Sequence, residues 1–142
     1  MASAAISPLI QLGVLMKTIG YAAQSSDSPL APLSFERRTL RANDIALEIL
    51  YCGVCHSDLH VARNDWGSST YPVVPGHEIV GRVIEVGSAV TKFKPGENVA
   101  VGCMVDSCQD CDECHNDHEQ YCRNGFTLTY GSPDRITGDI TH

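Results

Sequence analysis

The sequence predicts a mainly β domain that carries an irregular, cysteine-rich lobe. Three observations support that class. Apolar and polar residues alternate in several short runs, Gly and Pro punctuate the chain between those runs, and the segment 103–122 is polar and dense in cysteine. Alternation with a period of two puts successive side chains on opposite faces of an extended strand, so such a run buries one face and solvates the other.

The elements follow in chain order. The opening MASAAISPLIQLGVL is mildly apolar and contains no Lys or Arg, so it has neither the charged start of a secretory leader nor the Arg-rich pattern of a transit peptide. It reads as an N-terminal extension, residues 1–15. The folded part is expected to start at Met16, where Lys17 leads into the strand-like Thr18-Ile19-Gly20-Tyr21. DIALEIL, residues 44–50, alternates as a half-buried strand and runs straight into YCGVCHSDLH, residues 51–60. Ser57 to Arg63 is the one stretch with the composition of a short helix. After a polar segment containing Trp66, EIVGRVIEVG (78–87) reads as a second long strand, with Gly81 at a bulge or a close backbone approach and Gly87 opening a turn. Lys94-Pro95-Gly96-Glu97 is a turn, because Pro presets φ and Gly accepts φ > 0; NVAVG then resumes strand character.

Composition narrows the function. With 142 residues, 43% hydrophobic and 19% charged, the chain is about one globular domain, and its net charge of -7 gives no basic footprint for nucleic acid. No apolar run approaches the roughly 18 to 20 residues that cross a bilayer, so no membrane partner is expected. Seven cysteines without a leader pattern indicate a reducing compartment, the cytoplasm, where such density means metal ligands more often than disulfides.

Cys108, Cys111, Cys114 and Cys122 have the spacing C-x2-C-x2-C-x7-C. Two-residue gaps let successive thiolates point at one ion, and four sulfurs complete the tetrahedral shell of a structural zinc site. Zinc is preferred to an iron–sulfur cluster. Disulfides and a nucleic-acid-binding ribbon are the other readings; Asp106, Asp110, Asp112, Glu113 and Asp117 crowd the lobe and would repel phosphate.

Cys52 and Cys55 by themselves admit a thiol redox pair, but that motif belongs to a βαβ unit that is not evident here. A histidine and a carboxylate, His77 and Glu78, stand just before the second long strand. Taken in order, YCGVCHSDLH, PGHEIVGRVIEVG and VDSCQDCDEC with a later cysteine resemble the medium-chain, zinc-dependent alcohol dehydrogenases, most nearly the cinnamyl-alcohol-dehydrogenase-like, NADP-preferring branch.

The resemblance implies a GroES-like catalytic domain over residues 16–142, incomplete at its C-terminus, with a structural zinc lobe at 103–122. It implies that Cys55 and His77 are ligands of a catalytic zinc, with Glu78 beside it, and that Asp58 orients the ligand histidine. Ser57 and His60 match a proton relay, His56 a position facing the coenzyme pyrophosphate, and Trp66 an aromatic side chain of the substrate pocket, with a core anchor as its other reading. Cys52 and Cys103 have no ligand role and are expected to be buried or half-buried thiols. The family's third catalytic zinc ligand is a later cysteine, yet none follows Cys122, and no pair of glycines here can begin the G-x-G-x-x-G of a Rossmann domain.

The sequence therefore reads as the N-terminal catalytic portion of an enzyme that interconverts primary alcohols and aldehydes with NADP(H), inactive as this chain alone and a homodimer when complete. A non-enzymatic zinc-binding module, and a redox protein using Cys52 and Cys55, are the alternatives.

Overall fold

A computed structural model describes residues 16–142, so the expected extension 1–15 lies outside the described residues. The architecture is mainly β, as expected: seven strands, two short α-helices and one 3-10 turn among the described residues. Strand β1 (Met16–Ala22) pairs antiparallel with β2 (Ala31–Arg37). A second antiparallel sheet runs in the order β3 (Ile45–Gly53), β4 (Glu78–Val86), β5 (Asn98–Val101). A third, small sheet joins β6 (Met104–Asp106) to β7 (Thr127–Leu128).

The sequence did not single out β2. Its APLSFER carries a proline, which is tolerated because β2 is an edge strand of a two-stranded sheet. Gly81 behaves as expected on both counts. The register shifts between Ile49 and Tyr51, opposite Gly81 and Val80, and a Cβ on Gly81 would lie 2.8 Å from the Glu48 carbonyl oxygen. The turn at Lys94–Glu97 closes with the Glu97 amide donating to the Lys94 carbonyl at 3.2 Å, Gly96 taking φ +93°.

Helix α1 (His56–Arg63) sits one residue from its expected start, and Asn64 ends it in the left-handed conformation, φ 57°. Helix α2 (Asp112–His115) corrects the expectation that 57–63 is the one helical stretch: a single turn forms in the cysteine lobe, starting after Cys111 and carrying Cys114, whose sulfurs both face the cluster.

The core gathers residues remote in sequence. Ala23, Val73 and Tyr130 are buried together, with Val61 and Ala62 of α1 and Tyr71 packed against them. Backbone bonds between Ala23 and Val73, at 2.9 and 3.0 Å, tie the end of the first sheet to the segment before His77. Arg41 reaches Asp134 with two bonds of 3.0 and 3.2 Å, and Arg38 pairs with Asp44. The Arg41 guanidinium, helped by the Thr137 and Ile136 amides, holds the Asp134 carboxyl well below the usual carboxylate range against the cost of its burial.

Candidate metal centres and active site

The β3–β4 register builds the first centre. Gly53, the last residue of β3, pairs with Glu78, the first of β4, so Cys55 just past one strand and His77 just before the other meet at the same end of the sheet. Two glycines make the meeting possible. A Cβ on Gly53 would lie 2.5 Å from Glu78 Oε2, and Gly76 takes φ +136° with space for a Cβ closed by Cys52 Sγ at 2.7 Å. Cys55, His77 and Glu78 thereby present a sulfur, a nitrogen and an oxygen that all lie within 4.8 Å of one another.

Asp58 holds this arrangement from α1. Its side chain is buried, 6% exposed. Oδ2 accepts the Cys55 amide at 2.9 Å, while Oδ1 lies 3.4 Å from His77 Nδ1 and accepts the Tyr130 hydroxyl at 2.5 Å. With Nδ1 facing the carboxylate, the other ring nitrogen, Nε2, is turned to the Ser57 hydroxyl at 3.5 Å. Ser57 Oγ also donates to Cys55 Sγ at 3.1 Å. Burial, and next the Asp58 carboxylate, push the Tyr130 hydroxyl far above its ordinary range, so it remains a donor.

His60 lies on the same helix as Ser57 but makes a separate contact: Nδ1 stands 2.8 Å from Asp65 Oδ2. Its ring stacks on His56 with centroids 4.5 Å apart and lies 5.2 Å from the ring of Trp66. Trp66 is 60% exposed, so it anchors no core among the described residues. Two residues of this centre, Asp65 and Tyr130, were not singled out from the sequence. Asp65 sits within the polar segment after α1 and had no spacing signal; Tyr130 comes from beyond the cysteine lobe, and only the fold brings it to Asp58.

The second centre is local. The sulfurs of Cys108, Cys111, Cys114 and Cys122 all lie within 4.8 Å of one another. Cys108 to Cys114 is 3.8 Å and Cys111 to Cys114 is 3.5 Å. A tetrahedral ion with bonds of about 2.3 Å places its sulfurs about 3.8 Å apart, so the donor set fits zinc in type and spacing. Backbone donors point at the sulfurs: the Cys111 amide reaches Cys108 Sγ at 3.3 Å, and the Cys108 amide reaches Cys122 Sγ at 3.4 Å. The Asp110 amide, with Asn124 and the Cys111 amide, pulls the Cys108 thiol down to about 5. Cys114 goes the other way. Although the Ser107 hydroxyl favours its thiolate, desolvation and the neighbouring Cys111 and Cys122 sulfurs push it up to about 11. Four thiolates this close repel one another, and a dication held by them would let all four ionise.

Cys52 and Cys103 correct the expectation that they would be buried or half-buried: both are exposed. Cys52 lines an open cleft of about 1190 Å³ that runs between β1 and α1, and Cys103 lies in the short link between β5 and β6. That cleft is walled by Ile19, Ile49, Leu59, Val74 and Ile79 and reaches Asp58, but neither Cys55 nor His77 lines it, so it adjoins the first centre without containing it. Desolvation raises the Cys52 thiol, and its sulfur points at the Gly53 carbonyl, 3.6 Å away.

Among the described residues no helix is long and apolar enough to cross a membrane.

The fold and the two centres define a class that comparison with known proteins names. The chain belongs to the alcohol dehydrogenase GroES-like domain family, whose model matches residues 41–138. Alcohol dehydrogenase 9 of Catharanthus roseus is 52% identical over 127 residues, 89% of this chain and 35% of that protein. A cinnamyl alcohol dehydrogenase of Sorghum bicolor superposes with a TM-score of 0.84 at 46% identity, covering 89% of this chain and 36% of that one. The CAD of Helicobacter pylori in complex with NADP(H) gives 0.86 at 39% identity, covering 90% and 37%. The expected resemblance to the cinnamyl alcohol dehydrogenases is borne out, and the chain spans about a third of the length of the curated relatives it matches.

Proposed function

We propose that this chain forms the zinc-binding catalytic portion of an NADP(H)-linked alcohol dehydrogenase that interconverts primary alcohols and aldehydes. The observation that carries the reading is the meeting of Cys55, His77 and Glu78 with the Ser57 hydroxyl among them. Residues 16–142 are read as one domain, with 103–122 as a lobe stapled by Cys108, Cys111, Cys114 and Cys122 around a structural zinc.

Cys55 and His77, with Glu78 beside them, would hold the catalytic zinc. When bound, zinc supplies Lewis acidity that lowers the pKa of a substrate hydroxyl. The chain's own residues handle the proton. Ser57 Oγ, at hydrogen-bond reach of both proposed ligands, is placed to accept it, and His60 exchanges it with solvent across a bridging hydroxyl or water. Asp65 keeps the His60 ring oriented through Nδ1. Trp66, exposed beside His60, is read as a wall of the substrate pocket. His56 opens α1, where backbone amides favour an anion, and is read as a contact of the coenzyme pyrophosphate. The thiols imply a reducing compartment such as the cytoplasm, and the complete enzyme is read as a homodimer.

The non-enzymatic zinc module shares the four-cysteine lobe but has no use for Ser57 beside Cys55 and His77, which favours the enzyme. Metal analysis tests the reading. The chain is expected to take up two zincs per molecule, with Cys55→Ala and His77→Ala each losing one and retaining the other. A single zinc, unaffected by either substitution, would overturn it.

A further inference from the structure

Tyr130 is the one buried polar group at the first centre to which the reading above gives no task. It lies beyond β7, is 6% exposed and packs with Ala23 and Val73, yet its hydroxyl leaves that apolar company to reach Asp58 Oδ1 at 2.5 Å. Its ring also lies nearly parallel to that of His77, with centroids 5.8 Å apart and an interplanar angle of 8°.

Asp58 has two tasks and one carboxylate. Oδ2 is engaged by the Cys55 amide at the start of α1. Oδ1 alone faces His77, and at 3.4 Å the contact with Nδ1 is long for a charge-assisted hydrogen bond. A contact that weak adds little to the hold the Cys55 amide has on Oδ2. The short bond from Tyr130 supplies a second hold, on Oδ1 itself, because rotating Oδ1 away would strand a buried hydroxyl and a buried carboxylate oxygen together.

We propose that Tyr130 is a positioning residue for His77: its hydroxyl locks Asp58 Oδ1 opposite Nδ1 while its ring lies parallel beside the imidazole, so that Nε2 is presented towards Cys55 and Ser57. Tyr130 then links the strand end that follows the cysteine lobe to the first centre. This rests on the reading of Cys55 and His77 as metal ligands.

The test uses the full 142-residue chain with zinc first loaded into the four-cysteine site and Co²⁺ then titrated alone, read by its visible absorption. In Tyr130→Phe the Co²⁺ affinity of the second site falls about tenfold, the lower end of what loss of an outer hydrogen-bond partner costs, while zinc at the four-cysteine site is retained. Unchanged Co²⁺ affinity alongside a lowered Tm would make Tyr130 purely structural and overturn the proposal. A Co²⁺ signal that survives His77→Ala in the otherwise unaltered chain would instead overturn the metal reading, and the proposal with it. Should Tyr130→Phe not fold, ¹⁵N spectra of the unaltered chain decide: His77 carrying its proton on Nδ1 in a single tautomer supports the lock, and a proton on Nε2 overturns it.

Discussion

His60 Nδ1 stands 2.8 Å from Asp65 Oδ2, while Ser57 Oγ, on the same helix, faces Cys55 Sγ and His77 Nε2. The two members of the proposed relay thus have separate supports, one at the surface and one beside Cys55 and His77, and they are separable by mutation. In the complete enzyme Ser57→Ala removes the group at the substrate oxygen, and kcat is expected to fall by about 10² to 10⁴. His60→Gln removes only the outer step, so its loss is smaller and partly rescued by small added bases. Asp65→Asn is expected to resemble His60→Gln, because it frees the ring that Asp65 orients. Equal losses in all three with no rescue, or loss of zinc from any of them, would make this stretch structural.

The two candidate metal centres should differ in tenacity. Four thiolates form a closed shell, and structural zinc binds with roughly 10 to 16 kcal/mol, whereas Cys55, His77 and Glu78 offer one thiolate, one imidazole and an exposed carboxylate. A moderate chelator is expected to remove one zinc per chain and leave the other. Cys114→Ser should reverse the pattern by releasing the tight zinc, with loss of the ordered lobe seen by circular dichroism. Two zincs that resist the chelator equally would contradict the assignment.

The 142-residue chain alone is expected not to oxidise primary alcohols with NAD or NADP, since hydride transfer needs a nicotinamide held against the substrate and no dinucleotide fingerprint occurs in the sequence. Turnover that survives repurification and disappears in Cys55→Ala would overturn this.

Asp134 gives an acid limit to stability. Its folded pKa is lowered, with Arg41 as the largest cause. A lowered carboxylate contributes stability that is fully present above its unfolded pKa of about 3.9 and is lost as pH falls through the folded value. Asp134→Asn is therefore expected to cost about 2 kcal/mol at neutral pH, typical of losing a charge-assisted hydrogen bond. The gap to the unaltered chain should start to narrow below about pH 4, where the unfolded carboxyl takes up its proton, and close only as the folded carboxyl is protonated at lower pH. Urea unfolding at several pH values measures it; a gap independent of pH would assign the effect to packing.

Much of the molecule was legible one segment at a time. The alternation in DIALEIL and EIVGRVIEVG located β3 and β4, and the Lys94–Glu97 turn and α1 followed from local backbone preferences. The four-cysteine cluster was equally legible, because two-residue gaps leave thiolates little choice but to converge, whatever the rest of the fold does. Residue pairs far apart in the sequence were not legible from periodicity. Cys55 meets His77 because Gly53 pairs with Glu78, and a register slip of one residue would turn the strand's side chains to the other face. Asp65 turns back to His60 through a polar segment with no period, and Tyr130 reaches Asp58 across 72 residues. The sequence by itself determined β3, β4, the first helix and the four-cysteine cluster, since each depends on neighbours along the chain. Only the tertiary structure decided which buried donors hold the Asp58 carboxylate and how His77 is aimed, because a buried charge takes its partners from whatever the fold packs around it.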